Sequence, residues 1–325
     1  MPRTSWRAAA LAGATAVAAG SGAGGASWLT YTYLMRQATE ARGVIGRTWA
    51  KPPEADGVYL PGAQSPVPWR RDVPFDLHLM IFGDSTAAGL GCASAAEVPG
   101  VLLARALADE SRRRVRLSTK AIAGATSRGL AGQVDAMYVA GPPPDAAVIL
   151  VGANDVTAKQ SLHRSAQRLG SAVHRLRAGG AVVVVGTCPD LGVVGAIPQP
   201  LRTAVRTWGR QLARAQAAAT RAAGGHPVPL ADLLTPEFLS APDRLFSADG
   251  FHPSAAGYEL AARHLLPVLA AALGHWAGGP VPEPPLTSAA ARLWLPRTRR
   301  GGQGRGFSGG TVGPAGGEGG WSFLE

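Results

Sequence analysis

Four short clusters hold residue types that can do chemistry: Gly83-Asp84-Ser85, Gly124, Gly152-Ala153-Asn154, and Asp249 with His252. A serine hydroxyl is a poor nucleophile until a base takes its proton. An imidazole such as that of His252 accepts and returns a proton near neutral pH. Asp249 stands three residues before it, within reach of the other ring nitrogen, where a carboxylate fixes the tautomer. Attack on an ester carbonyl creates an oxyanion, and one preorganised donor to it is worth about 3 kcal/mol. The candidate donors are the Ser85 N–H, the Gly124 N–H and the Asn154 side-chain amide. A glycine at 124 lets backbone approach a substrate closely. Each cluster also has a plain structural reading, because Asp, Ser, Asn and Gly are ordinary turn and cap residues. The catalytic reading therefore depends on whether the fold brings the clusters together.

The surrounding elements predict that it does. Candidate strands cover residues 77–82, 115–121, 146–151, 181–186 and 226–230. The third and fourth are unbroken apolar runs, as in parallel strands buried on both faces. Ala-, Leu- and Arg-rich helical segments separate them at 98–113, 127–137, 160–177 and 202–223, and a last helix follows Pro253 and runs to about Leu273. Strand and helix in alternation predict an α/β fold: a doubly wound, parallel five-stranded sheet in a three-layer α/β/α sandwich. Ligands bind such sheets beyond the carboxyl ends of the strands. The clusters follow the first, second and third strands and precede the last helix, so all four are expected at one edge. Pro253 is expected to open that helix and leave His252 on a loop tip.

Two familiar serine-hydrolase arrangements do not fit. A chymotrypsin-like chain runs His, Asp, Ser, whereas Ser comes first here. An α/β-hydrolase carries its serine in G-x-S-x-G deep in the chain, with its acid on a separate loop. Here the fifth position is Ala87, and acid and base are three apart. The chain instead resembles the SGNH/GDSL hydrolases over residues 77–273. Their four blocks are matched by Gly83-Asp84-Ser85, by Gly124, by Gly152-Ala153-Asn154-Asp155 and by Asp249-Gly250-Phe251-His252. Thr86 stands where that family often has Leu. The resemblance implies a flavodoxin-like sandwich, a Ser85–His252–Asp249 triad, an oxyanion hole of Ser85, Gly124 and Asn154, and acyl-ester hydrolysis with neither metal nor cofactor. The Arg-rich, Ala/Gly-rich composition is similar to that of exported actinobacterial members.

The flanks point to location. Residues 8–35 carry no charged side chain and follow Arg3 and Arg7, as in an export signal or membrane anchor. Residues 37–76 read as a juxtamembrane segment and Pro-rich linker or surface wrap, and 275–325 as a disordered Pro/Gly/Arg-rich tail. An extracytoplasmic protein follows, secreted or anchored through residues 8–35. The formal net charge is +11, yet the basic residues form no long run and are not interleaved with aromatics, which argues against nucleic acid. The expected partner is a small-molecule, lipid or carbohydrate ester. Competing readings are an intracellular thioesterase or lysophospholipase, an acyltransferase, and a non-catalytic cell-envelope binding module on the same fold. Cys92 and Cys188 have no partners at metal-ligand spacing. Both fall near the catalytic edge, where strands two places apart end about 10 Å from each other. A disulfide would need the Cys92 loop to lean across. The loop after Cys188 carries Leu191, Val193, Val194 and Ile197, which would shelter an acyl chain if it overhangs Ser85.

Overall fold

Strands that alternate no polar residue must be covered on both sides. Strand β4 (Ala146–Leu150, AAVIL) is buried throughout, and β5 (Val182–Gly186, VVVVG) is buried except at Val182. The computed structural model, which describes residues 31–40, 43, 51–279 and 281, covers them with helices on both faces. A helix over residues 31–40 (α1) comes first. The chain then forms β1 (Gly57–Tyr59), β2 (Leu77–Gly83), α2 (Ser85–Ala88), α3 (Pro99–Ser111), β3 (Val115–Thr119), α4 (Leu130–Ala140), β4 and α5 (Ala153–Thr157). After these come α6 (Leu162–Ala178), β5, α7 (Leu201–Ala222), β6 (His226–Val228), α8 (Leu230–Ser240), α9 (Pro242–Leu245) and α10 (Ala255–Ala272).

The sheet order is β1-β3-β2-β4-β5-β6. All five expected strands form and pair in parallel. Among the described residues the expected count of five strands is corrected to six. β1 joins β3 antiparallel, with Gly57 opposite Leu117 and Tyr59 opposite Val115. Its three residues lie in the proline-rich stretch, too short to show an alternating pattern, and prolines are tolerated only beside an edge strand such as this one.

Side-chain alternation along β2 divides the core. Leu79 and Ile81 pack with Val101, Ala104 and Leu107 of α3 and with Leu265 and Leu269 of α10. Met80 and Phe82 pack with Val134 and Met137 of α4 and with Leu169, Val173 and Leu176 of α6. The α6 residues recur at the spacing that places them on one helix face. A third cluster joins Val156 of α5, Leu212 of α7 and Cys188, Leu191, Val194 and Ile197 after β5. That packing holds the long β5–α7 connection over the sheet edge.

Both flanks extend the domain. The buried Gln37 amide of α1 donates to the Gln199 carbonyl and accepts from Leu201 N–H (3.1 Å) at the start of α7. Trp276 packs on the core beyond α10. Residues 1–30 and 282–325, which hold most of the expected signal or anchor and most of the expected tail, lie outside the described residues. Among the described residues no helix is long and apolar enough to cross a membrane.

Tyr59 tests whether β1 is integral to the domain. Its side chain is 1% exposed and its hydroxyl donates to the Ala55 carbonyl at 2.7 Å. Replacing a fully buried aromatic residue with Ala typically costs about 3–5 kcal/mol. Tyr59→Ala should lower the urea midpoint by a corresponding amount, whereas a linker residue would leave it unchanged.

Candidate active site

The carboxyl ends of β2, β4 and β5 are buried at the point where ladder pairing stops, and polar side chains from the helices finish the pairing there. Gly83 N–H donates to Gln133 Oε1 and Gln133 Nε2 donates to the Gly83 carbonyl, both at 2.8 Å. Gln216 does the same between two strands. It accepts from Cys188 N–H (2.7 Å) and donates to the Val151 carbonyl (2.9 Å). Gly83 itself has φ 134°, and a Cβ there would stand 1.8 Å from the Leu150 carbonyl oxygen, so only glycine fits. The chain then turns sharply. Asp84 caps α2 by accepting from Thr86 N–H (2.9 Å), and Ser85 is the first residue of the helix.

His252 reaches this point from the other end of the domain. Ser85 Oγ lies 2.9 Å from His252 Nε2, and Asp249 Oδ2 lies 2.6 Å from His252 Nδ1. With Nδ1–H given to Asp249, Nε2 is the acceptor and the serine O–H donates. Ser85 and His252 are buried, at 8% and 7% exposure. The other Asp249 oxygen accepts from Ser247 Oγ (2.8 Å) and from the N–H groups of Phe251 and His252 (2.9 Å each). Burial alone would raise the Asp249 pKa. Together the hydrogen bonds from the His252 ring, those two N–H groups and Ser247 outweigh it and hold the carboxyl well below its usual range. Asp84 shows the opposite balance. Burial pushes it up to about 6 despite the Thr86 and Gly152 N–H groups and nearby His252.

The expected helix start is corrected by one short step. Ser254, not Pro253, caps α10, accepting from Gly257 N–H at 3.3 Å. Pro253 instead pairs with Phe246 in an isolated bridge, flanked by Ser247 N–H to the His252 carbonyl (2.8 Å) and Ser254 N–H to the Leu245 carbonyl (2.9 Å). That small ladder fixes His252 more firmly than a loop tip would.

The segments that carry the expected oxyanion donors adjoin each other near the end of β2. Lys120 N–H and Ile122 N–H donate to the Ile81 and Gly83 carbonyls (2.8 and 3.1 Å), which lays the connection after β3 along the end of β2. Gly124 follows in a left-handed conformation, φ 79°, with open space where a side chain would be. Asn154 Nδ2 donates to the neighbouring Ala125 carbonyl at 3.0 Å, which leaves its second amide hydrogen free for another acceptor. Among the described residues, neither the Ser85 nor the Gly124 N–H donates to a protein acceptor.

Asp155 joins the segments that carry these groups. It is fully buried and accepts from Ser127 N–H (2.9 Å), Ser127 Oγ (2.6 Å) and Ser165 Oγ (2.7 Å). One carboxylate thus ties the Gly124 loop to α5, which carries Asn154, and to α6. Sequence reasoning included Asp155 only as part of a block and missed Gln133 and Gln216, which sit in helices with no local signal of their role.

An apolar cavity of about 90 Å³ lies next to the segments that carry Ser85 and His252. It is lined by Asp84 and Thr86 on either side of Ser85 in the chain, by Phe251 and Pro253 on either side of His252, and by Ala153 next to Asn154. Leu191, Val193 and Val194 of the β5–α7 connection and Leu234 and Phe238 of α8 complete the wall. Asp190 pins that connection. It is buried and meets Arg206 and Arg210 of α7 at 3.2 and 3.1 Å and Thr235 of α8 at 3.3 Å. Both cysteines are free. Burial pushes the Cys92 thiol up to about 12 and raises that of Cys188 as well.

The sequence profile of the GDSL-like lipase/acylhydrolase family matches residues 81–260, which hold Ser85, Gly124, Asn154, Asp249 and His252. The chain belongs to that family. A GDSL-like esterase of Mycobacterium tuberculosis is 58% identical over 299 residues, 92% of this chain and 94% of that one. Among solved structures, TesA is similar over 60% of this chain and 97% of its own, with 27% identity and a TM-score of 0.45. The esterase EstA from a Pseudoalteromonas species is similar over 61% of this chain and 100% of its own, with 18% identity and a TM-score of 0.47. This GDSL-like protein is a carboxylic ester hydrolase.

In this hydrolase, removal of Asp155 should act at a distance from Ser85 and His252. Asp155→Ala leaves the Ser127 N–H and two hydroxyls without their acceptor and frees the Gly124 loop. Displacement of a catalytic group by about 1 Å can cost about 100-fold. Steady-state kinetics on a soluble ester should show kcat lowered by roughly 10- to 100-fold, with reaction of Ser85 still detectable.

Proposed function

We propose that the chain cleaves acyl esters through an acyl-enzyme formed on Ser85. The carrying observation is the 2.9 Å contact of Ser85 Oγ with His252 Nε2, continued at 2.6 Å to Asp249. His252 takes the serine proton as Oγ attacks the ester carbonyl. Asp249 holds the tautomer and stabilises the imidazolium that forms. The Ser85 and Gly124 N–H groups and the Asn154 amide receive the oxyanion. His252 then gives its proton to the departing alcohol. In the second half, water loses a proton to His252 and attacks the acyl group, and the carboxylic acid leaves as Ser85 regains its hydrogen.

The alcohol half faces solvent in this reading, and the acyl half enters the apolar cavity. Its lining residues flank Ser85 and His252 in the chain and adjoin Asn154, and the Leu191–Val194 segment forms the sheltering wall. The cavity is smaller than the roughly 150 Å³ space that holds a benzene ring. Short acyl groups fit that size better than long ones. The protein is proposed to work outside the cytoplasm, secreted or held by residues 8–35.

Two measurements test the reading. Ser85→Ala should lower hydrolysis of a p-nitrophenyl ester by at least about 10⁴-fold and abolish labelling by a fluorophosphonate probe. Wild-type turnover in that variant would defeat the mechanism. Leu234 is buried in the cavity wall. Leu234→Ala should move the preferred p-nitrophenyl ester toward longer acyl chains, at a stability cost of about 2–5 kcal/mol. An unchanged chain-length profile would place the acyl group elsewhere.

A further inference from the structure

The catalytic edge has a rim that the ester chemistry does not use, and α1 lies along it. Lys159, just past α5, sits in a left-handed conformation at φ 53°. Its Nζ donates to the Tyr31 hydroxyl at 3.4 Å and lies 5.0 Å from the Tyr31 ring centroid. The next residue, Gln160, donates to Thr126 Oγ1 (3.1 Å) in the loop that carries Gly124. Six residues further along α1, Gln37 grips Gln199 and Leu201, at the far end of the connection that walls the acyl cavity. The helix therefore bridges the two loop systems on the Asn154 side of the catalytic groups.

Large apolar side chains stay open around this rim. Tyr31 and Tyr33 are 56% and 54% exposed, and Ile122, two residues before Gly124, is 59% exposed. The cations Arg36, Arg128 and Lys159 are exposed there too, with Glu40 paired to Arg36 at 3.0 Å. Exposed tyrosines and an aliphatic tip among cations match a lipid–water interface with an anionic surface. The sequence supplies a second attachment. Residues 8–35 carry no charge, and the stretch reaches the domain at Tyr31, against Lys159. Stable association with a bilayer commonly takes two such signals together.

We infer that the catalytic rim docks on an anionic bilayer surface, with residues 8–35 as its attachment, so that the ester is drawn from the lipid–water interface. The docking stands on the rim itself, and only the source of the ester rests on the esterase reading above. An interfacial ester would enter with its acyl group toward the cavity and without crossing bulk water. α1 would then hold the mouth of the site toward the surface.

The test uses the full chain with Cys92→Ser, which leaves only the buried Cys188 thiol. A fluorophore is attached at Ile122→Cys on the rim or at Arg113→Cys, just before β3 at the opposite edge of the sheet. Vesicles of phosphatidylcholine and phosphatidylglycerol carry nitroxide-labelled lipid. Quenching should be several-fold stronger at position 122 than at 113 and should weaken with added salt. Equal quenching at the two positions, or no association with the vesicles, overturns the docking. In a second arm, Tyr31→Glu with Tyr33→Glu should lower hydrolysis of a vesicle-borne ester several-fold and leave a soluble p-nitrophenyl ester unaffected. Equal effects on both substrates overturn the interfacial source of the ester. If neither ester is cleaved even by wild type, the esterase reading fails while the quenching arm still decides the docking.

Discussion

A parallel sheet that ends in a reactive edge leaves its last backbone groups buried and short of partners. Leaving such a group unpaired costs about 1–3 kcal/mol, whereas making its hydrogen bond gains only about 1 kcal/mol net. The penalty exceeds the gain, so what completes the pairing decides where the chain can go. Gln133 completes β2 and Gln216 joins the ends of β4 and β5. Each amide acts as a short piece of extra strand, donating once and accepting once. The loops that follow therefore start from fixed points, and Ser85, Asn154 and Cys188 inherit those positions. The clamps specify geometry more than they add stability.

The same logic governs the charges. Asp249 gives one oxygen to three local donors and the other to His252, so its ionised form is strongly favoured. Its depressed folded pKa means that its stabilisation is full above the unfolded value of about 3.9 and is lost as pH falls through the lower folded value. Asp84 is buried with fewer donors, and its pKa is raised to about 6. Its ionisation therefore opposes folding as pH rises through that value, and below the unfolded value this penalty is absent. Two carboxylates near one imidazole are thus set apart by hydrogen bonding against burial. The one that touches the ring is the one whose ionised form is favoured.

Much of this was legible in the sequence because the signals are local. The apolar runs of β4 and β5, the strand-to-turn break at Gly83 and the three-residue spacing of Asp249 and His252 each announce themselves within a few residues. The parallel, doubly wound sheet followed from the alternation of strand and helix. β1 was not legible, since three residues among prolines carry no period. α8 and α9 were missed because the segment after β6 holds prolines at 229, 236 and 242, which read as breaks. Gln133 and Gln216 were invisible for a different reason. A glutamine within a helix looks like surface until the fold shows which side it faces.

The meeting of Ser85 with His252 spans 167 positions in sequence, and no local rule produces it. It depends on α10 lying tightly against the segment after α2. Tyr258 of α10, 1% exposed, donates its hydroxyl to the Leu90 carbonyl at 2.6 Å. One residue later Gly91, at φ 99°, passes so close that a Cβ would stand 2.6 Å from the Pro253 carbonyl oxygen. His252 immediately precedes that proline. Ser85 and His252 are therefore set against each other by the turn that leaves α2 and the helix that follows the histidine. Asp249 and its local donors then need only orient the ring. Long-range packing sets the distance between serine and histidine, and short-range hydrogen bonding sets the angle.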